Sequence, residues 1–109
     1  MGKPVPNESP IACDFTGLTA EQRARRQTLA QRVHAATQEI RELPDGYTFR
    51  FPAEPALCLT VAEFMTLERL CCPFFTFVLE LEGEGGPMWL RLTGRDGVKQ
   101  FLHAELGIK

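Results

Sequence analysis

A chain of 109 residues, 44% hydrophobic and 24% charged, is long enough for one domain with its own core, and eight phenylalanines supply the bulk for it. Its formal net charge of -2 lacks the basic footprint of a nucleic-acid binder. No apolar run approaches the ~18–20 residues that span a bilayer, and the first ten residues have no apolar signal-peptide core. The expected setting is therefore the cytoplasm, with Cys13, Cys58, Cys71 and Cys72 reduced and no disulfide framework.

Residues 1–10 hold Pro4, Pro6 and Pro10 among polar side chains and read as a disordered tail, leaving 11–109 as a single domain. Ile11–Phe15 is a short apolar stretch, either an edge strand or a docked arm. Thr19 with Gln22 three residues on fits a capping box, and nothing from there to Glu42 breaks a helix. The apolar residues Leu29, Val33, Ala36, Ile40 and Leu43 then form one seam of that helix, and Arg23, Arg25, Arg26 and Arg32 a solvated basic face. Pro44-Asp45-Gly46 turns the chain into an alternating strand, Tyr47–Phe51.

A second helix is expected over 60–72, stopped by Pro73. Strands at 74–82 and 88–93 follow, joined by a glycine-rich hairpin loop. Their apolar faces coincide when Leu81 meets Met88, Leu79 meets Leu90 and Phe77 meets Leu92. The other face carries Phe74, Val78 and Trp89, too apolar to be wet, so either the long helix covers it or it pairs with a second copy as a homodimer. A last helix over 96–106 ends at Gly107. The order helix-strand-helix-strand-strand-helix implies an α+β fold with a three-stranded, mainly antiparallel sheet and helices packed on one face.

One feature breaks the pattern. Helical geometry puts Glu68 near the centre of the second helix's apolar arc, among Val61, Phe64, Met65, Cys71 and Cys72. A buried carboxylate must be neutralised by a cation or by backbone donors, be protonated, or lie beside a bound ion. Buried cysteines pack as small hydrophobes, so Cys71 and Cys72 alone are explained nearly as well by packing as by chemistry. The helix C-terminus does not favour thiolates, and Arg69 is the cation nearest in sequence. Two converging thiols suit soft ions such as Zn, Cu(I), Hg or arsenite, and Cys13 is a better third ligand than Cys58, which lies at the far end of the same helix. No CxxC pair occurs, which argues against zinc-ribbon and thioredoxin readings. His34 reads as an exposed histidine and His103 as marginal to its helix's buried face. Residues 93–97 read as a turn with a helix N-cap.

Glu68-Arg69-Leu70-Cys71-Cys72-Pro73-Phe74 resembles a set of small bacterial proteins that share an E-R-x-C-C-P-F motif, and the resemblance extends to Arg41–Tyr47 and Trp89–Gly94. It brings no activity or catalytic residues, so only the motif carries over. The sequence thus leads to a cytoplasmic thiol protein that binds a soft metal or metalloid ion through Cys71, Cys72, Glu68 and Cys13. The alternatives are a cysteine-dependent redox or nucleophilic enzyme with Glu68 as proton acceptor, and a structural homodimer with core cysteines.

Overall fold

The computed structural model describes residues 9–107. Most of the proposed tail, residues 1–8, lies outside them. The chain forms α1 (Ala20–Ala36), β1 (Glu39–Leu43), β2 (Gly46–Phe51), α2 (Pro55–Cys71), β3 (Thr76–Leu81), β4 (Met88–Thr93) and α3 (Val98–Leu106), with one turn of 3-10 helix at Phe15–Gly17. The strands make a single antiparallel sheet in the order β1-β2-β4-β3. The fold is α+β as expected, with four strands in place of three.

The additional strand replaces the end of the expected first helix. Thr19 and Gln22 do form the capping box that starts α1. The helix stops at Ala36, where the Thr37 hydroxyl donates to the Val33 carbonyl at 2.8 Å. Gln38 then donates its amide to Arg50 at 2.8 Å, opening the ladder between β1 and β2. Leu43 pairs with Gly46, leaving Pro44-Asp45 as a two-residue hairpin turn. Gly46 is required there, since a side chain on it would collide with the Leu92 carbonyl of β4. Ile40 and Leu43 therefore belong to an edge strand, and Ile40 is exposed. Their helical spacing from Ala36 is accidental, because the hairpin satisfies the backbone of 39–43 better than another turn of unpacked helix.

Pairing between β3 and β4 follows the register read from the apolar alternation: Leu81 opposes Met88, Leu79 opposes Leu90 and Phe77 opposes Leu92. Glu84 and Gly85 both take positive φ at the centre of the connecting turn, as a type I′ turn needs. Arg91 and Glu80 meet diagonally on the outer face.

Inward-facing Tyr47, Phe49, Phe51, Met88, Leu90 and Leu92 form one core cluster with Leu29 and Val33 of α1, Leu57, Val61 and Phe64 of α2, and Val98 and Leu102 of α3. The long helix does not cover the outer face, since its buried residues Leu29 and Val33 join the inner-face cluster. Trp89 is buried there yet lies outside that cluster, beneath the guanidinium groups of Arg41 and Arg50, and its indole N–H donates to Glu82 at 2.7 Å. Phe74 is not an outer-face residue. It precedes β3, is buried, and packs edge-on against Phe101.

Helix α2 begins five residues before the expected start, because Pro55 occupies its first turn, where a missing N–H costs nothing. No helix among the described residues is long and apolar enough to cross a membrane.

Candidate metal centre

The apolar arc inferred for α2 is the buried one: Leu57, Val61, Phe64, Glu68 and Cys71 are its buried residues. Cys71 is the last helical residue and Cys72 the cap, whose amide donates to the Glu68 carbonyl at 2.8 Å. Both thiols are thereby carried to the core end of the helix, with relative exposures of 0% and 1%. Their sulfurs lie 3.7 Å apart although their residues are adjacent, because the helix ends between them.

The stretch before α1 is a docked arm, not an edge strand. Asp14 donates its amide to the Cys71 carbonyl at 2.9 Å, and its side chain caps the Phe15–Gly17 turn. This contact lays Cys13 against the end of α2, its sulfur 2.8 Å from that of Cys72. Cys58, in the first turn of α2, is not part of the group. Two sulfurs therefore lie against Glu68, and a third, from a distant stretch of chain, reaches Cys72. Glu68 Oε1 accepts from the Cys71 thiol at 3.1 Å and lies 3.6 Å from the Cys72 sulfur. Glu68, Cys71 and Cys72 place potential ligand atoms within 4.8 Å of one another.

The partner of Glu68 is Arg26. Its Nε and one terminal nitrogen both donate to Glu68 Oε1, at 2.9 and 2.7 Å. Arg26 is one of the arginines read as a solvated face, and Arg69, nearest in sequence, is exposed. The guanidinium lies over the rings of Phe15 and Phe64, 5.1 and 6.0 Å from their centroids. Burial opposes its charge, but the Glu68 carboxylate and the neighbouring thiols more than offset that and raise its pKa. Sequence reasoning missed this residue, although a signal was present. Arg26 stands three residues before Leu29 and seven before Val33, one step back along the seam that α1 buries.

None of the three thiols is activated. Burial first, then the hydrogen bond and negative field of Glu68, push Cys71 up to about 11. Burial also raises Cys72, aided by its contact with Cys13 and by Glu68, and Cys13 is raised chiefly by burial. The Arg26 charge that might have stabilised a thiolate is engaged by Glu68. Such a site resists any net gain of negative charge. His34 and His103 are both exposed, and neither belongs to the group formed by Glu68, Cys71 and Cys72. Residues 93–97 form the turn before α3, whose cap is Gly97 with no side-chain bond.

Two measurements check this description. Arg26→Met or Glu68→Met alone should cost about 3–5 kcal/mol in urea unfolding, whereas the double replacement should cost far less, because removing one partner strands a buried charge. Single substitutions costing under ~1 kcal/mol would contradict the pairing. The folded pKa of Cys71, about 11, exceeds its unfolded value of 9.0, so its contribution to stability is complete below pH 9 and is lost as pH rises towards 11. The unfolding free energy should fall by about 1.4 kcal/mol per pH unit for each such thiol in that window. A Cys71→Ser variant should show a shallower alkaline limb, and an unchanged limb would show that Cys71 is not the group titrating.

Comparison with known protein families, curated proteins and solved structures finds no match to this chain, so the chemistry of the centre rests on its own geometry: an arginine-paired carboxylate with two buried thiols against it and a third thiol on Cys72.

Proposed function

We propose that the protein binds a soft metal or metalloid ion through Cys13, Cys71 and Cys72, with the Arg26–Glu68 pair as the wall of the site. The observation that carries this reading is a row of three neighbouring sulfurs, with Cys72 between the other two, 2.8 Å from Cys13 and 3.7 Å from Cys71. Packing alone gives no reason for an arm to deliver a third cysteine to an adjacent pair. Around one ion with metal–sulfur bonds of ~2.3 Å, two sulfurs stand about 3.8 Å apart. The Cys71–Cys72 spacing matches that already. Cys13 must draw back from Cys72 by roughly 1 Å and come to the same spacing from Cys71 to close a three-sulfur ring, on an arm tied to α2 by the Asp14 amide.

Charge decides which soft ions fit best. A divalent ion held by three thiolates leaves one net negative charge beside Glu68, in a place that disfavours it. A trivalent metalloid such as arsenic in arsenite replaces three thiol protons and leaves a neutral centre: As(OH)3 and three thiols give three As–S bonds and three waters. Arsenite is therefore the preferred ligand of this reading over Zn and Hg, and Cu(I), which would leave two net negative charges, is the least favoured by charge. The raised thiol pKa values weigh against the nucleophilic or redox alternative, which needs a thiolate near neutral pH.

With the reduced protein, one equivalent of arsenite should bind. Affinity should drop at least about 100-fold in Cys71→Ser/Cys72→Ser, which removes two of the three sulfur bonds, and should persist in Cys58→Ser. Calorimetry or competition with a small dithiol reads both. Absence of binding, or binding unchanged in the double serine variant, would contradict the proposal.

A further inference from the structure

The three sulfurs do not have the same surroundings. Cys13 and Cys72 line a cavity of about 700 Å³ between α1, α3 and the inner face of the sheet, whereas Cys71 does not. Arg26 and Glu68 stand at the sulfur end and His34, Glu39 and Glu105 also border the cavity, but most of its wall is hydrocarbon and aromatic, including Ala30, Val33, Leu90, Leu92 and Phe101. A bare ion held by three sulfurs needs no such space. The volume falls in the ~300–1,000 Å³ range of small-molecule sites.

From this asymmetry we infer that the ligand is a trivalent arsenical carrying one organic substituent, with its arsenic on Cys13 and Cys72 and its substituent in the apolar cavity. The inference rests on the soft-ion reading above and narrows its substrate class. A monosubstituted arsenic(III) centre has two exchangeable positions, not three. An arsine oxide R–As=O and two thiols give R–As(S–)2 and one water: two As–S bonds form, the As–O bonds break, and both thiol protons leave on the oxygen with no change of oxidation state. The product is neutral, as the site requires. Cys71 then remains a thiol and keeps its 3.1 Å bond to Glu68 Oε1. The two cysteines the reaction needs are the two that open on the cavity. An aryl or alkyl substituent leaving water for that cavity adds about 25 cal/mol per Å² buried.

The test compares inorganic arsenite with phenylarsine oxide on the reduced full chain. Arsenite needs all three sulfurs, so Cys71→Ser should weaken it at least ten-fold while changing phenylarsine oxide less than about three-fold. Filling the cavity with Ala30→Phe should do the opposite, weakening phenylarsine oxide at least ten-fold and sparing arsenite. Retained arsenite binding shows that the variant has folded. Ile40→Trp, at an exposed position on the cavity wall, serves the same purpose where Ala30→Phe does not fold. If arsenite binds but phenylarsine oxide also requires Cys71, or ignores both cavity substitutions, the organic substituent is not accommodated as inferred and only the inorganic reading survives. If neither probe binds the unaltered protein, the soft-ion reading itself falls.

Discussion

The bidentate grip of Arg26 on a single oxygen of Glu68 is the constraint on which the rest of the centre depends. The two side chains are 19% and 10% exposed, so the pair is taken largely out of water. Either charge alone would be expensive there, and together they form a neutral, rigid wall. The pair joins α1 to α2, and a second, exposed bridge between Arg25 and Glu63 lies beside it. Hydrophobic residues of similar volume would hold two helices together at least as well. Retention of a carboxylate at this place, within reach of two thiols, is better explained by what it does to those thiols.

The carboxylate adds to the burial that raises their pKa values. Burial makes thiolates costly, and the negative end of the pair faces the sulfurs while the positive end is turned to Glu68 and the rings of Phe15 and Phe64. A cysteine nucleophile is built the other way round, with a cation against the sulfur. Protonated thiols beside a carboxylate suit exchange in which protons leave as a trivalent centre arrives and no charge accumulates. The arm carrying Cys13 supplies the third sulfur. It crosses the end of α2 at the Asp14–Cys71 bond and is pinned further along by Ser9, whose carbonyl accepts from Arg95.

Much of this was legible in the sequence. The capping box at Thr19, the register of β3 with β4, the Gly107 cap and the buried arc of α2 are local or two-body patterns, and the structure has them. Glu68 announced its need for a partner by its position alone. Two things were hidden, for one reason: both depend on what a segment meets, not on what it contains. Residues 39–43 carry apolar side chains at a helical spacing, and only the two-residue turn at Pro44-Asp45 makes them a strand. Arg26 sits in an arginine-rich run that resembles a wet surface, and only the helix packed against it turns one of those arginines inward. Cys13, not Cys58, is the cysteine the fold brings to Cys72, because helix length keeps Cys58 at the other end of α2.

The central claim is that one trivalent ion is held by sulfur alone, with Glu68 as a neighbour and not a ligand. X-ray absorption at the arsenic edge of the protein loaded with one equivalent of arsenite tests it most directly. The account predicts a first shell of three sulfurs and no oxygen. A shell containing oxygen, or fewer than three sulfurs, would contradict it.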